Sequence, residues 1–321
     1  REREESPSCA YSHPTDGNSP WPLDRWHAVE FAAESLFTAA ALGEPGMIIG
    51  WVAFASAMLA ASVAFADPAA DQRYEPGDTF RDCLECPEMV VVPAGSFTMG
   101  SPQSEKGRTY YEGPQHRVTF SQPFAVGKYA VTFDEWDACV ADGGCNGYKP
   151  SDADWGRGKR PVVNVSWNDA QAYISWLKRK TGRDYHLLSE AQREYVTRAG
   201  TTTPFWWGSS ILTGQANYTD EDGPKGQYRY ETAPVDSFQP NPWGLFQVHG
   251  NVLEWTEDCW KEDYSGAPTD GSAWTSKDCA SRVVRGGSWE TFPRYLRSAN
   301  RDRYIAVNRS PRYGFRVART L

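Results

Sequence analysis

Near the C-terminal end, the stretch "RGGSWETFPRYLRSANR" (285–301) gathers arginines, aromatic rings and a Gly-Gly pair, with no thiol and no recognisable acid–base pair. Guanidinium groups grip carboxylates and phosphates through a planar fork and stack on aromatic faces, so this composition points to holding an acidic ligand rather than to making bonds. The candidate ligand-binding residues are Trp289, Arg294, Tyr295, Arg297, Arg301 and Arg303. The competing reading is that these arginines make internal salt bridges.

A second stretch, "HGNVLEW" (249–255), has different chemistry. Asn251 and Glu254 offer an amide oxygen and a carboxylate three positions apart, and the carbonyls of Gly250 and Val252 lie between them. Oxygen-only ligation of this kind suits Ca2+; the alternative is that Glu254 pairs with an arginine. The acids Glu257, Asp258, Glu262 and Asp263 follow closely, but as solvated or salt-bridged groups rather than as a catalytic pair. Five scattered histidines argue against a histidine-built metal centre, and neither a nucleophile triad nor a phosphate loop is legible.

Of seven cysteines, six fall in three close pairs: Cys83 with Cys86, Cys139 with Cys145, and Cys259 with Cys279. Pairing by proximity gives loop-stapling disulfides in an oxidising compartment, one of several connectivities that six cysteines allow. Residues 83–86, "CLEC", also read as a redox or zinc half-site, although no second pair stands at ligand spacing.

The elements that must position these groups are short. Three helices carry capping boxes: Thr132 with Glu135, Ser166 with Asp169, and Ser189 with Gln192, ended by Gly143, Gly182 and Gly200. The runs "MVVVPAGSFTMGS" and "HRVTFSQPFAVGKYAVT" each read as a strand pair, the first a hairpin broken at Pro93-Ala94-Gly95. After Gly200 the text turns rich in Gly, Pro, Asn and Trp. The fold class is therefore α+β with little regular structure for its length, in one domain over 83–321.

The 321 residues carry a net charge of −8, which disfavours nucleic acid and anionic lipid as partners. Residues 47–66, "MIIGWVAFASAMLAASVAFA", form an apolar run with a small-x-small end, read as a signal peptide or an uncleaved N-terminal anchor. Residues 1–46 read as an unstructured or upstream-translated leader and 67–82 as a linker. The expected location is periplasmic or secreted, with membrane contact only through an uncleaved segment.

Five blocks occur in order from about residue 89 to 319: "MVVVPAGSFTMGS", "RPVVNVSWNDAQAYISWLKRKTGRDYHLLSEAQREYVTRAG", "NPWGLFQVHGNVLEWTED", "RVVRGGSW" and "GFRVAR". Together they resemble the formylglycine-generating enzyme, or sulfatase-modifying factor, family. The resemblance implies a C-type-lectin-like α+β fold. The family's best characterised members oxidise a sulfatase cysteine to formylglycine with copper held by two cysteines. In that motif's frame the two cysteine positions fall on Thr291 and Leu296, and no cysteine follows Cys279. Neither residue supplies a thiolate, so copper and sulfatase activation are not expected. Ser288 and Trp255 match a serine and a tryptophan that border the family's oxygen pocket.

The resemblance also places structural calcium on Gly250, Asn251, Val252 and Glu254. It places a second ion on Asn217 and Tyr218, where the family's aspartate falls near Gln227, with Asp220 or Asp222 as substitutes. Two functions follow. The first is an exported, calcium-stabilised binding protein for a protein or small-molecule ligand of acidic character. The second is a periplasmic oxidoreductase acting on a small molecule without the cysteine–copper centre, as in the family's siderophore-maturation branch. Whether the chain is an enzyme stays open at this level; if it is, it is an oxidoreductase.

Overall fold

The computed structural model describes residues 73–219 and 229–321. The expected leader, the signal or anchor segment, and Asp220, Asp222 and Gln227 lie outside the described residues. In chain order the elements are β1 (Thr79–Phe80), β2 (Met89–Val92), β3 (Gly95–Met99), β4 (His116–Phe120), β5 (Phe124–Gly127), α1 (Phe133–Ala141), α2 (Trp167–Thr181), β6 (Tyr185–Leu187) and α3 (Glu190–Arg198). They continue as β7 (Leu253–Cys259), β8 (Ser281–Arg285), β9 (Arg301–Ile305), β10 (Tyr313–Phe315) and β11 (Val317–Thr320). The strands make a five-stranded sheet in the order β1-β2-β5-β11-β6, a four-stranded sheet β10-β7-β8-β9, and the two-stranded β3-β4. The result is an α+β fold with few helices.

The strand pairing corrects the two expected hairpins. β2 pairs with β5 and β3 with β4, so the two runs exchange partners instead of folding back on themselves. Burial explains the swap. All four residues of β2 and all four of β5 are buried, which suits the interior of the large sheet, whereas β3 and β4 each carry exposed positions and form a ribbon wetted on one side. The break at Pro93-Ala94 moves the chain from one sheet to the other. β1 lies within the stretch expected as linker, with Thr79 opposite Val90 and Phe80 opposite Met89.

The helices start where the sequence places them. Each of the three caps has both halves of its capping box. The α2 stripe Ala170, Tyr173, Ile174 and Leu177 is buried, and Gly182 takes the left-handed conformation that stops the helix. At α3 the left-handed cap is Ala199, one residue before the expected glycine. Disulfides join Cys83 to Cys86, Cys139 to Cys145 and Cys259 to Cys279. No helix among the described residues is long and apolar enough to cross a membrane.

Candidate functional site

The site begins where β8 ends. After Arg285 the chain turns through Gly286 and Gly287, both at positive φ. A Cβ on Gly286 would sit 2.7 Å from the Arg193 guanidinium, and one on Gly287 would sit 3.0 Å from Leu296, so this turn needs both the freedom and the emptiness of glycine. Ser288 and Thr291 close the next turn. The Ser288 N–H donates to Thr291 Oγ1 at 2.9 Å, and the two hydroxyl oxygens lie 3.0 Å apart.

A short helical turn at Pro293–Tyr295 then delivers Leu296, fully buried against Phe205, Ala216 and Tyr218. His249 Nδ1 donates to the Leu296 carbonyl at 2.7 Å from beneath. Burial pushes the His249 pKa down to about 3, so the ring is neutral, and the bond to the carbonyl places its proton on Nδ1.

Over this segment opens a cleft of about 890 Å³. One wall is Phe292, Pro293, Arg294 and Arg297; the opposite wall is Pro204, Phe205 and Ile211, with Ser209 and Ser210 beside them. The loop Glu105–Lys106–Gly107 forms the lip. Thr291 precedes one wall, and Leu296 lies beneath it, packed on Phe205. Trp255 is elsewhere: its indole N–H donates to the Val165 carbonyl at 3.0 Å within the main core, and it does not line the cleft.

The expected arginine surface does not form. Arg297 is buried, and its guanidinium meets Glu105 at 2.5 Å, Glu112 at 2.6 Å and the Gly107 carbonyl at 2.7 Å. Arg301 forks onto both oxygens of Glu190 at 2.8 and 2.7 Å. Trp289 is buried, donating to the Pro311 carbonyl and packed edge-on against Trp155. Arg303 is half exposed and paired with Glu262 at 2.8 Å. Of the six candidates only Arg294 and Tyr295 stay on the surface with no ion pair among the described residues, and Arg294 lines the cleft. The reason is carboxylate supply: α3 and the 101–112 loop bring Glu190, Glu105 and Glu112 to these guanidiniums, and a buried charge requires such a partner.

Glu254 takes the alternative reading of its role. Its carboxylate is buried between Arg193 at 2.7 Å and Arg316 at 3.0 Å, an ion pair shared by two guanidiniums. Burial alone would raise its pKa, but the two arginines outweigh burial and hold it below the usual carboxylate range. The Asn251 amide oxygen accepts from Asn217 Nδ2 at 3.0 Å and from the Ala233 N–H at 2.8 Å, and the Gly250 carbonyl accepts from the Val252 N–H. Among the described residues no three His, Cys, Asp or Glu side chains gather at one point. Asn217 differs from these: its Oδ1 is buried with no hydrogen-bond partner, next to the buried Tyr218. An orphaned amide oxygen is a donor of the kind a hard cation takes.

The relationship to known proteins follows the blocks. Residues 75–321 match the sulfatase-modifying factor enzyme 1-like domain family. The chain belongs to that family. It is similar to the formylglycine-generating enzyme of Mus musculus, 31% identical, with 73% of this chain and 76% of that protein covered. It is 29% identical to a Bos taurus protein named inactive C-alpha-formylglycine-generating enzyme 2, over 63% of this chain and 76% of that one. Among solved structures, PvdO from Pseudomonas aeruginosa matches with a TM-score of 0.70 and 43% identity, covering 78% of this chain and 100% of that one.

A copper centre of the sulfatase-modifying factor kind does not fit this member. In the frame that the resemblance gives, the thiolate positions fall on Thr291 and Leu296, and each of the six described cysteines is in a disulfide. Sequence reasoning missed Lys106, Phe205, Ile211 and His249 as parts of the site. The cluster "TTTPFWW" (201–207) carried some signal, since rings after a proline next to a helix end need something to pack on. Nothing local pointed to the 105–107 loop, which reaches the site by packing against Arg294 and Arg297.

Proposed function

We propose that this sulfatase-modifying-factor-like chain acts on a small molecule held in the cleft over the 291–296 segment, as an oxidoreductase of the siderophore-maturation type. The observation that carries this reading is the cleft itself. At about 890 Å³ it is of small-molecule size, and one wall, Phe292, Pro293, Arg294 and Arg297, belongs to the segment in which the resemblance places the thiolates of copper-bearing relatives. The binding-protein alternative loses its main support, because Arg297, Arg301 and Trp289 are occupied internally.

The likeness to PvdO over the whole of that chain supports treating the two as comparable small domains of one family branch. The residues present would contribute binding and orientation. His249 fixes the Leu296 backbone, the Ser288–Thr291 hydroxyl contact fixes the turn that leads into one wall, and Phe205 and Phe292 offer ring faces. Dioxygen is the oxidant by chemical class: the substrate loses two hydrogens and dioxygen takes them up as hydrogen peroxide.

We also place the chain in an oxidising, exported location, supported by the three disulfides, and assign a structural Ca2+ to the neighbourhood of Asn217, supported by its orphaned oxygen. The test is to incubate the purified protein with a reduced siderophore precursor, with and without air, following oxygen uptake and product mass. A product lighter by two hydrogens, formed faster with protein and only in air, supports the proposal. Equal conversion with and without protein overturns it. Metal analysis with an N217A comparison tests the ion.

A further inference from the structure

This inference rests on the small-molecule reading of the cleft and names the class of ligand. We propose that the cleft takes a flat, ring-bearing molecule with an anionic group of the carboxylate class, the rings against Phe205 and Phe292 and the anion on Arg294 and Lys106.

The charge balance of the lining comes first. Its cations are Lys106, Arg294 and Arg297, and its single acid is Glu105. Arg297 and Glu105 satisfy each other, with Glu112 as a second partner for the arginine. Lys106 and Arg294 remain, both exposed, and neither forms an ion pair among the described residues. They share one lip: a Cβ on Gly107, next to Lys106, would lie 3.2 Å from the Arg294 Cβ. A pair of unneutralised cations at a cavity mouth makes a local attractive field for an anion.

Geometry adds direction. The Arg294 guanidinium lies 4.7 Å from the Tyr295 ring centroid and 5.7 Å from that of Phe292, so its neighbours are rings and no carboxylate among the described residues takes its planar fork. The apolar lining runs inward from this lip through Phe292 and Pro293 to Pro204, Phe205 and Ile211. A molecule with one charged end and one flat apolar end satisfies both regions at once. A neutral ring forfeits the lip, and a small inorganic anion forfeits the interior.

The probes are 2-naphthoate and 2-naphthamide, which share ring and size but differ in charge, titrated into the full chain by calorimetry. We expect 2-naphthoate to bind about tenfold more tightly than the amide. R294Q and K106Q should each narrow that ratio, and the double variant should bring it close to one while leaving the affinity for the amide unchanged. Both positions are exposed, and unchanged thermal unfolding of the variants verifies that the fold is intact. Equal binding of the two probes overturns the inference, as does a ratio that persists in the double variant. Binding of neither probe overturns the small-molecule reading of the cleft itself, and it is distinguished by the missing signal for the amide.

Discussion

The arginine-filled interior and the lip of the cleft use the same side chain for opposite ends. Inside, Arg193 and Arg316 share Glu254, Arg285 meets Glu194, Arg301 forks onto Glu190, and Arg297 meets Glu105 and Glu112. At the lip, Arg294 has rings for neighbours and no acid. A guanidinium buried with its carboxylate organises the long irregular segments between α3 and β7, where there is little sheet or helix to do so. One left without a carboxylate is available to something outside the protein. Arg297 lies three positions after Arg294, and what divides their roles is the placement of Glu105 and Glu112, far away in sequence.

The strongest way to break this comparison is to remove an interior acid. E254A leaves Arg193 and Arg316 buried without their shared partner, and we expect it to lower stability by about 3–5 kcal/mol, measured as urea unfolding monitored by tryptophan fluorescence. R301A should act similarly, because Glu190 would then lose its bidentate partner while keeping only Tyr264 and the more distant Arg285. A loss of under about 1 kcal/mol in either variant would mean that these pairs are passengers in an interior held by apolar packing alone.

How far the sequence shows this division can be argued from α3. Its cap, length and stop are legible in "SEAQREYVTRAG", because capping is local chemistry. Its surroundings are not. A helix with Glu190, Arg193, Glu194 and Arg198 reads as a solvated surface element, yet all four are buried, since their partners arrive from β7, β8, β9 and the loop before β4. The strand runs show the same limit: their existence follows from an apolar run in the first and alternation in the second, but the exchange of partners between β2, β3, β4 and β5 is decided by which runs can tolerate burial on both faces. The family blocks give a frame for the site, in which the resemblance puts the thiol positions on Thr291 and Leu296. They are silent on Lys106, whose place at the lip depends on a loop clamped by Arg297.

An interior acid without an arginine offers a subtler test. Asp258 is buried, accepts the N–H groups of Glu190 and Trp274 at 2.7 and 2.8 Å, and forms no ion pair among the described residues. Burial first, and then the nearby Glu190 carboxylate, push its pKa up to about 7, with the more remote Arg301 opposing. The folded state therefore holds a proton that the unfolded state releases from ordinary aspartate values upward. Stability from this group is present at acid pH and is lost as pH rises towards and through about 7. D258N should flatten that decline between about pH 5 and 8, and the difference in melting temperature between wild type and variant across that range is the readout. The level shifts too, because an amide accepts one of the two N–H bonds poorly, so the slope and not the offset decides. Parallel pH profiles for the two proteins would show that Asp258 stays ionised in the fold.

The smallest expected effect is at the lip, and its smallness is what makes it informative. R294A removes a guanidinium that covers parts of Tyr295 and Phe292 but has no acid to abandon, so stability should change by no more than about 0.5 kcal/mol. R301A, seven positions along the same stretch, should instead cost several kcal/mol on the reasoning above. The sequence alone treats these two arginines as equivalents, and the contrast in unfolding measures how different the fold has made them. If R294A destabilised the chain as much as R301A, Arg294 would belong to the interior scheme, and the cleft would lose the cation that gives its lip a preference for anions.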